Sequence, residues 1–294
     1  TKSYAPALSD ALERYCRLKG SNRSELFFTA AHRNVGYVIE RLGDRALDSY
    51  SSADAAKFRD WLIGKGLSTS SIRRIFSTIR AVFNLTIHEE GLDCKNAFSN
   101  TFLPTDERPK RLSIPPEDIK RIQALCLYIA DDRRLLLALI SDTGMRLSEA
   151  LGLVWADINL DHKYPHISLE PHPWRPLKTA GSKRLIPLVG ASLEAIKIMH
   201  RQRTTQFLFN TYTNATGCKG NSCSAALNKW LKQHMPNAVI YSFRHSFRDR
   251  LRNAGVQSEM VDQLGGWSNQ TVGQGYGKGY SLKFNHEVLT SSFN

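Results

Sequence analysis

Five side chains between positions 146 and 276 have the types needed to move a phosphodiester bond onto a protein hydroxyl. That chemistry needs a nucleophile, cations over the charged phosphate oxygens, and an acid for the departing sugar oxygen. Tyrosine ionises only near pH ~10, so its hydroxyl must lose its proton during the attack or be activated by nearby positive charge. Arginine is well suited to bind the phosphate oxygens, because its planar guanidinium group donates two parallel hydrogen bonds and stays protonated at neutral pH. The candidates are Tyr276, Arg146, Arg244, Lys178 and Trp267.

These residues lie in four segments whose order and spacing resemble the tyrosine recombinases, also called phage integrases. In that family an arginine in a Gly-x-Arg-x-x-Glu turn precedes a hairpin lysine and a His-x-x-Arg motif. A His or Trp follows, and then a tyrosine nine residues later. The resemblance covers essentially the whole chain and is far more specific than any single motif. The matching segments are 143–151, 176–184, 241–245, and 264–267 leading to Tyr276.

One position departs from that pattern. Where the family has the histidine of His-x-x-Arg, this chain has Tyr241. Histidine titrates near neutral pH and a phenol does not. Tyr241 can therefore donate or accept a hydrogen bond, but it is a poor proton shuttle at pH 7.

The resemblance assigns roles to several cations. It implies that Arg146 and Arg244 contact the scissile phosphate, and that Glu149, three residues after Arg146, holds the Arg146 guanidinium in orientation. The alternative for such a pair is a surface ion pair of little energetic value. Arg248 lies one helical turn after Arg244, and we predict that it or Arg252 contacts a neighbouring phosphate.

Lys178 and Lys183 compete for the role of the acid that protonates the leaving 5′ oxygen. The Leu-Lys-Thr-Ala-Gly sequence matches the family's hairpin at Lys178. A lysine packed against arginines has a lowered proton affinity, which suits proton donation. We predict that Lys183 and Arg184 contact DNA instead. His245, which lies between two phenylalanines, is predicted to be a packed or supporting group, and a catalytic role is the alternative.

Trp267 and Tyr276 are nine positions apart, which is the family spacing. An indole can donate one hydrogen bond to a phosphate and also pack against the tyrosine, whereas simple core packing is the alternative. The same spacing favours Tyr276 over Tyr280 as the nucleophile. Residues 273–279 are rich in glycine but lack the pattern of a phosphate-binding P-loop, so we interpret these glycines as freedom for Tyr276 to reach its phosphate.

The composition favours a polyanionic partner such as nucleic acid. Among 294 residues, 40 Lys and Arg exceed 27 Asp and Glu, which gives a net charge of +13. Five scattered cysteines indicate free thiols in a reducing compartment, and a metal site at Cys218 and Cys223 is the less favoured alternative. Apolar runs such as 135–140 are far shorter than the ~20 residues of a membrane span.

Helical periodicity dominates the chain, and the expected fold class is mostly α with a small β-sheet (α+β). In the stretch 68–90, apolar residues recur at helical spacing and leave Arg73 and Arg80 off the apolar stripe. The resemblance to the family's helical core-binding domain favours contact of these arginines with DNA over a solvated basic face. Further helices are predicted at 116–129, 131–141, 192–203, 222–234, 241–253 and 259–264, and strands at 167–169 and 184–188.

Four prolines mixed with charges between positions 104 and 116 indicate an interdomain linker. We therefore predict a helical core-binding domain at 1–103, a linker at 104–116 and a catalytic domain at 117–294. The amphipathic end, 282–293, either packs on its own domain or, as the resemblance implies, docks on a neighbouring protomer. The chain begins at Thr1, and a preceding N-terminal segment is an open alternative.

The resemblance implies a site-specific DNA recombinase of a mobile element that works through a 3′-phosphotyrosine intermediate, with no cofactor and no metal. The expected partners are double-stranded DNA, further copies of the chain in a homotetramer, and DNA-bending proteins as candidate accessory factors. No membrane is expected, and the expected location is the cytoplasm. Two alternatives stay open: a nicking and closing enzyme similar to type IB topoisomerases, and an inactive DNA-binding protein of recombinase descent. The target site, the host and the preference for integration or excision are not encoded in these motifs.

Overall fold

The computed structural model describes residues 5–105, 113–267 and 279–293. Within these residues the chain is mostly helical with small antiparallel sheets, which confirms the predicted fold class. The chain divides into two compact units, residues 1–109 and 110–294. The middle of the predicted linker, 106–112, lies outside the described residues, and the domain boundaries predicted at 103 and 117 stay predictions.

The first unit is a helical bundle around an aromatic core. Apolar side chains that recur every three or four positions on its helices meet in one buried cluster, in which Phe98 contacts the rings of Phe58, Phe76 and Phe83. The helices are α1 (Leu8–Lys19), α2 (Glu25–Leu42), α3 (Ser52–Gly64) and α4 (Thr69–Glu89).

Helix α4 is the helix that the apolar spacing in 68–90 predicts. Ser68 caps it by accepting a hydrogen bond from the backbone N–H of Ser71. Arg73 and Arg80 lie off its buried stripe, and their guanidinium groups donate to main-chain carbonyl oxygens of 98–104, the segment that leads out of this unit. The acceptors are Leu103 and Pro104 for Arg73, and Phe98 and Thr101 for Arg80.

The second unit packs helices against a three-stranded antiparallel sheet in the order β1-β2-β3, with a separate hairpin of β4 and β5. The strands are β1 (Ile158–Asn159), β2 (His166–Leu169), β3 (Arg184–Pro187), β4 (Thr213–Asn214) and β5 (Gly217–Cys218). The helices are α5 (Pro116–Ile129), α6 (Asp132–Thr143), α7 (Leu147–Leu151), α8 (Gly190–Arg201), α9 (Gly220–His234), α10 (Ile240–Asn253), α11 (Ser258–Gly265) and α12 (Leu282–Phe293).

Helix α6 runs through the core of this unit, since every residue from 135 to 143 is buried. In this single chain α12 packs on its own unit: Leu289 is buried, and the ring of Phe293 lies against Phe247 and 3.6 Å from the Arg250 guanidinium carbon. Docking of α12 on a neighbouring protomer stays a prediction. Of the helices that the structure describes, none combines the length and apolar character that a membrane span requires.

Candidate active site

Arg146 lies at a junction between two helices. Helix α6 ends at Gly144, whose left-handed conformation (φ 60°) terminates the helix and turns the chain. Arg146 is then the N-cap residue of α7. Glu149, at the third position of α7, accepts a hydrogen bond from the backbone N–H of Arg146 (3.0 Å) and another from its guanidinium. The Gly-x-Arg-x-x-Glu spacing is therefore the spacing of a helix cap, and this cap holds the carboxylate against the arginine.

The Glu149 carboxylate is buried between two arginines. It is 3% exposed, and it also accepts a hydrogen bond from Nη2 of Arg184 (3.2 Å). Burial alone would raise the pKa of Glu149, but the charge of Arg184 and the hydrogen bonds from Arg146 lower it below its ordinary value. The carboxylate is thus ionised at neutral pH, and it orients both guanidinium groups.

Arg146 also joins two other segments. Its Nη1 donates to the hydroxyl of Ser182 (3.1 Å), and its Nη2 donates to the carbonyl oxygen of Gly266 (3.1 Å). Ser182 is buried, and its hydroxyl lies 3.0 Å from that of Thr179. Sequence reasoning missed Ser182, because a serine next to Gly181 is an ordinary turn residue and nothing in its spacing marked it.

Arg244 is a buried cation, and some of its N–H groups have no hydrogen-bond acceptor among the described residues. It is 2% exposed, and its Nη1 donates to the carbonyl oxygen of Gly144. Its Nε and Nη2 are also buried but find no acceptor among the described residues. Burial, together with the charge of Arg146, lowers the pKa of Arg244 to about 10, so it is charged at pH 7. A buried guanidinium with unused donors is costly unless an anion accepts from them, which makes this position suited to a phosphate.

Trp267 lies against two arginines of α10. Its ring centre is 4.3 Å from the guanidinium carbon of Arg244 and 4.9 Å from that of Arg248. The two glycines before it permit this position. A Cβ on Gly265 would lie 1.7 Å from the indole, and Gly266 has φ +61° with the Arg184 guanidinium 2.6 Å from its own Cβ position. The structure thus brings Trp267 to the arginine that the sequence assigned to the phosphate.

Tyr241 occupies the first turn of α10, and 46% of its surface is exposed. Its ring meets that of His245 edge to face, with centres 4.9 Å apart. Tyr241 and Arg244 are three residues apart on α10, so their side chains are neighbours on the helix. Tyr241 and His245 are therefore a neighbouring pair at the exposed side of the arginine site, and their roles stay predictions.

Three predicted cations are exposed. Lys178 lies in the loop between β2 and β3 and forms no ion pair with any residue that the structure describes. Lys183 pairs with Glu170 across the same hairpin (2.9 Å). Arg252 lies 4.0 Å from Asp249 on α10. Arg248, by contrast, is partly buried and pairs with Asp262 (2.8 Å). None of these contacts decides between the acid and DNA-binding roles, which stay predictions.

The prediction that Arg184 contacts DNA needs correction. Its side chain is 5% exposed, and all three of its nitrogens donate inside the protein, to Glu149, Ser182 and Leu264. A signal for this was present in the sequence: alternation along β3 places Arg184 on the same face as the buried Ile186, opposite the exposed Leu185.

Tyr276 lies outside the described residues, as do the glycines up to 277. Where the described chain resumes, Gln263 accepts a hydrogen bond from the backbone N–H of Tyr280 (2.8 Å) and donates one to its carbonyl oxygen (2.9 Å). In the ranges 5–105, 113–267 and 279–293, no group of three or more His, Cys, Asp or Glu side chains is arranged to hold a metal ion.

Comparison with known proteins identifies this arrangement. Residues 113–280, more than half of the chain, match the model of the phage integrase family. The match spans all four segments on which the resemblance to tyrosine recombinases rests, and that resemblance is confirmed.

Curated relatives extend the match beyond that region. The transposase from transposon Tn916 of Enterococcus faecalis is 24% identical over 261 residues, which cover 78% of this chain and 63% of that protein. This chain thus corresponds to less than two thirds of that relative's length. The tyrosine recombinase XerA of Pyrococcus horikoshii is 24% identical over 278 residues, which cover 92% of this chain and 89% of that one.

Solved structures share the fold. The Tn1549 transposon integrase in complex with transposon right end DNA has a TM-score of 0.70 at 18% identity, and the match covers 92% of this chain and 97% of that one. The lambda integrase tetramer bound to a Holliday junction has a TM-score of 0.68 at 15% identity, covering 92% and 77%.

Proposed function

Because the chain belongs to the phage integrase family, we propose that it is a site-specific DNA recombinase that cuts and rejoins DNA through a 3′-phosphotyrosine intermediate. The observation that carries the proposal is the buried Arg244, whose Nε and Nη2 have no acceptor among the described residues. The positive charge of Arg146 is close enough to lower the pKa of Arg244. Such preorganised donors stabilise the negative charge that develops on a phosphate during transfer.

In the proposed reaction the Tyr276 hydroxyl attacks the scissile phosphate, and an O–P bond to the protein forms as the bond to the 5′ oxygen breaks. Arg146 and Arg244 bind the non-bridging oxygens. Lys178 gives its proton to the leaving 5′ oxygen, and the Tyr276 proton passes to solvent water during the attack. The 5′ hydroxyl of a partner strand then reverses the step, so the energy of the broken bond is kept in the covalent intermediate.

The substrate we propose is double-stranded DNA at the ends of a mobile element. The Tn916 transposase and the Tn1549 integrase bound to transposon-end DNA support this class of substrate. The lambda integrase tetramer on a Holliday junction supports a tetramer as the working assembly. DNA-bending proteins are the proposed accessory partners, and the cytoplasm, where such DNA is found, is the proposed location.

One observation favours a second candidate function. Tyr241 stands where the family has a histidine, and a phenol is a poor proton shuttle at neutral pH. A DNA-binding protein that has lost cleavage would tolerate that exchange. Retention of the other catalytic positions argues against this alternative, since the chain still carries Arg146, Lys178, Arg244 and Tyr276.

A covalent-trapping assay separates the two. The chain is incubated with nicked DNA carrying the ends of its element, and the products are run on a denaturing gel. We expect a protein–DNA adduct that Tyr276→Phe abolishes and that Tyr280→Phe, the matched control, retains. Tight DNA binding without any adduct would favour the non-cleaving protein, and an adduct that persists in Tyr276→Phe would exclude Tyr276 as the nucleophile.

A further inference from the structure

Arg184 connects three segments of the second unit that each carry a candidate catalytic residue. Its Nη2 donates to Glu149 on α7, the helix that Arg146 caps (3.2 Å). Its Nη1 donates to the carbonyl oxygen of Ser182 in the hairpin that carries Lys178 (2.7 Å). Its Nε donates to the carbonyl oxygen of Leu264, three residues before Trp267 (3.0 Å). One side chain therefore sets the relative position of segments that are far apart in sequence.

The contact between Arg184 and Glu149 is an ion pair that stabilises a buried charge. The Glu149 carboxylate is buried, and a buried carboxylate is stable only when charged donors surround it. Arg146 donates one hydrogen bond to each carboxylate oxygen, from its guanidinium to Oε1 and from its backbone N–H to Oε2. Arg184 adds a second charged donor to the carboxylate. The Arg146 guanidinium is then held by its hydrogen bonds to Glu149, to Ser182 and to the Gly266 carbonyl oxygen.

The fit on the other side is equally close. The guanidinium of Arg184 lies against the Gly266 backbone, within 2.6 Å of the Cβ that any other residue would place there. Gly266 in turn accepts a hydrogen bond from Arg146 through its carbonyl oxygen. The turn before Trp267 is thus held from two directions by two arginines that share one carboxylate.

We propose that Arg184 is a positioning residue of the cleavage site: it holds Glu149 so that this carboxylate orients Arg146, and it holds the 264–266 turn that carries Trp267. The inference rests on the proposed function. It assigns to Arg184 a part in the reaction through other residues, without contact with DNA.

The test compares two variants. Arg184→Met removes the charge and the hydrogen-bond donors, whereas Arg184→Lys keeps the charge but lacks the planar guanidinium group that reaches several acceptors at once. The adduct-forming rate is measured at saturating nicked DNA, together with DNA affinity and melting temperature. We expect Arg184→Met to slow adduct formation by roughly 10- to 100-fold, as misplacement of reacting groups does, with DNA affinity changed less than about threefold. We expect Arg184→Lys to recover part of the rate.

Arg134→Met is the matched control for lost stability. Arg134 is another partly buried arginine of this unit, paired with Asp131 at the opposite end of α6. We expect this variant to melt at a lower temperature than the wild type and to form the adduct at the wild-type rate per folded molecule.

A double-mutant cycle identifies the route. If Arg184 acts through Glu149, then Arg184→Met slows the reaction much less in a Glu149→Gln background than in the wild type. A wild-type adduct rate in Arg184→Met, or additive losses in the double variant, would overturn the inference alone. No adduct from the wild-type chain would overturn the proposed function and this inference with it.

Discussion

Both units contain arginine side chains with defined hydrogen bonds, but the N–H groups of these arginines have different acceptors. In the first unit Arg73 and Arg80 donate to main-chain carbonyl oxygens of 98–104. In the second unit Arg146 and Arg184 share one buried carboxylate, and Arg244 keeps donors for which the described residues offer no acceptor. The comparison teaches that the surroundings of an arginine matter more than its presence: Arg244 combines unused donors with the neighbouring charges of Arg146 and Arg184.

The two arrangements also differ in energetic cost. An arginine that donates to carbonyl oxygens near the surface exchanges water for protein acceptors and gains modest stability. A buried arginine without a full set of acceptors lowers stability, because its unpaired N–H groups have lost their hydration. Four predictions test this difference.

The largest effect is expected for Arg244→Met. Loss of one preorganised donor group lowers the rate of such reactions by about 10²- to 10³-fold, so the covalent adduct should form at least a hundredfold more slowly. The melting temperature should not fall, because the change removes an incompletely paired buried charge. Adduct kinetics and thermal denaturation measure the two effects.

Arg250 on the same helix is the matched control. It pairs with the buried Asp142 (2.9 Å), so Arg250→Met leaves a buried carboxylate with one fewer charged donor and should cost about 2–4 kcal/mol of stability. A melting temperature of Arg244→Met that falls as far as that of Arg250→Met would show that Arg244 is structural and would break the comparison.

The next effect is a pH dependence that Glu149 gives to the second unit. The folded-state pKa of Glu149 lies below its ordinary value of 4.5. Its stabilising contribution is therefore complete above that value and is lost as the pH falls through the lowered pKa. The stability difference between the wild type and Glu149→Gln should be constant near neutral pH and shrink below about pH 4. A difference that stays unchanged down to pH 3 would contradict this assignment. The carbonyl acceptors of Arg73 and Arg80 do not titrate.

A smaller effect is expected for Arg80→Met in the first unit. Arg80 is half-buried and donates to Phe98 (2.7 Å) and Thr101 (3.3 Å). Losing these bonds should cost about 1 kcal/mol, seen as faster hydrogen exchange of α4 amides. Arg74→Met is the control, because Arg74 is exposed and donates only to the Ser71 hydroxyl among the described residues. Equal exchange in both variants would count against a structural role for Arg80.

The smallest effect on stability is expected for Arg73→Met, at about 0.5 kcal/mol or less, because Arg73 is exposed. Here the predicted DNA contact can be tested separately. If a phosphate replaces the carbonyl acceptors of Arg73 on binding, the slope of log affinity against log salt should fall by about one unit. An unchanged slope would leave Arg73 as a purely structural side chain.

Local features of the fold and the site were accessible from sequence. The bounds of α5 were predicted to the residue, since Pro116 starts the helix and the apolar spacing ends at Ile129. Helix α6 continues two residues beyond the predicted end, to Thr143. The Arg146–Glu149 pair was predictable because both residues belong to one helix cap. The β4–β5 hairpin was missed, because two-residue strands show no alternation.

Contacts between distant segments were not accessible in this way. The hydrogen bonds from Arg146 to Gly266 and from Arg184 to Leu264 join positions 120 and 80 residues apart. Residue types and spacings describe neighbours in sequence, and one chain alone carries no record of which segments meet. Because the sequence resembles a family of DNA-binding proteins, its basic residues are predicted to contact DNA. This prediction is wrong for Arg184, whose buried guanidinium donates only to acceptors inside the protein.

The second unit gathers the guanidinium groups of Arg146, Arg184 and Arg244 around the carboxylate of Glu149. Three positive charges and one negative charge leave a net positive charge, and an oxyanion whose oxygens accept several hydrogen bonds from the guanidinium groups can neutralise it. By mass action, an anion that binds only the folded state raises its stability in proportion to the logarithm of its concentration, once that concentration exceeds the dissociation constant. The melting temperature of this unit should therefore depend on the anion in the buffer. Phosphate or sulfate should raise it, whereas chloride at equal ionic strength should not.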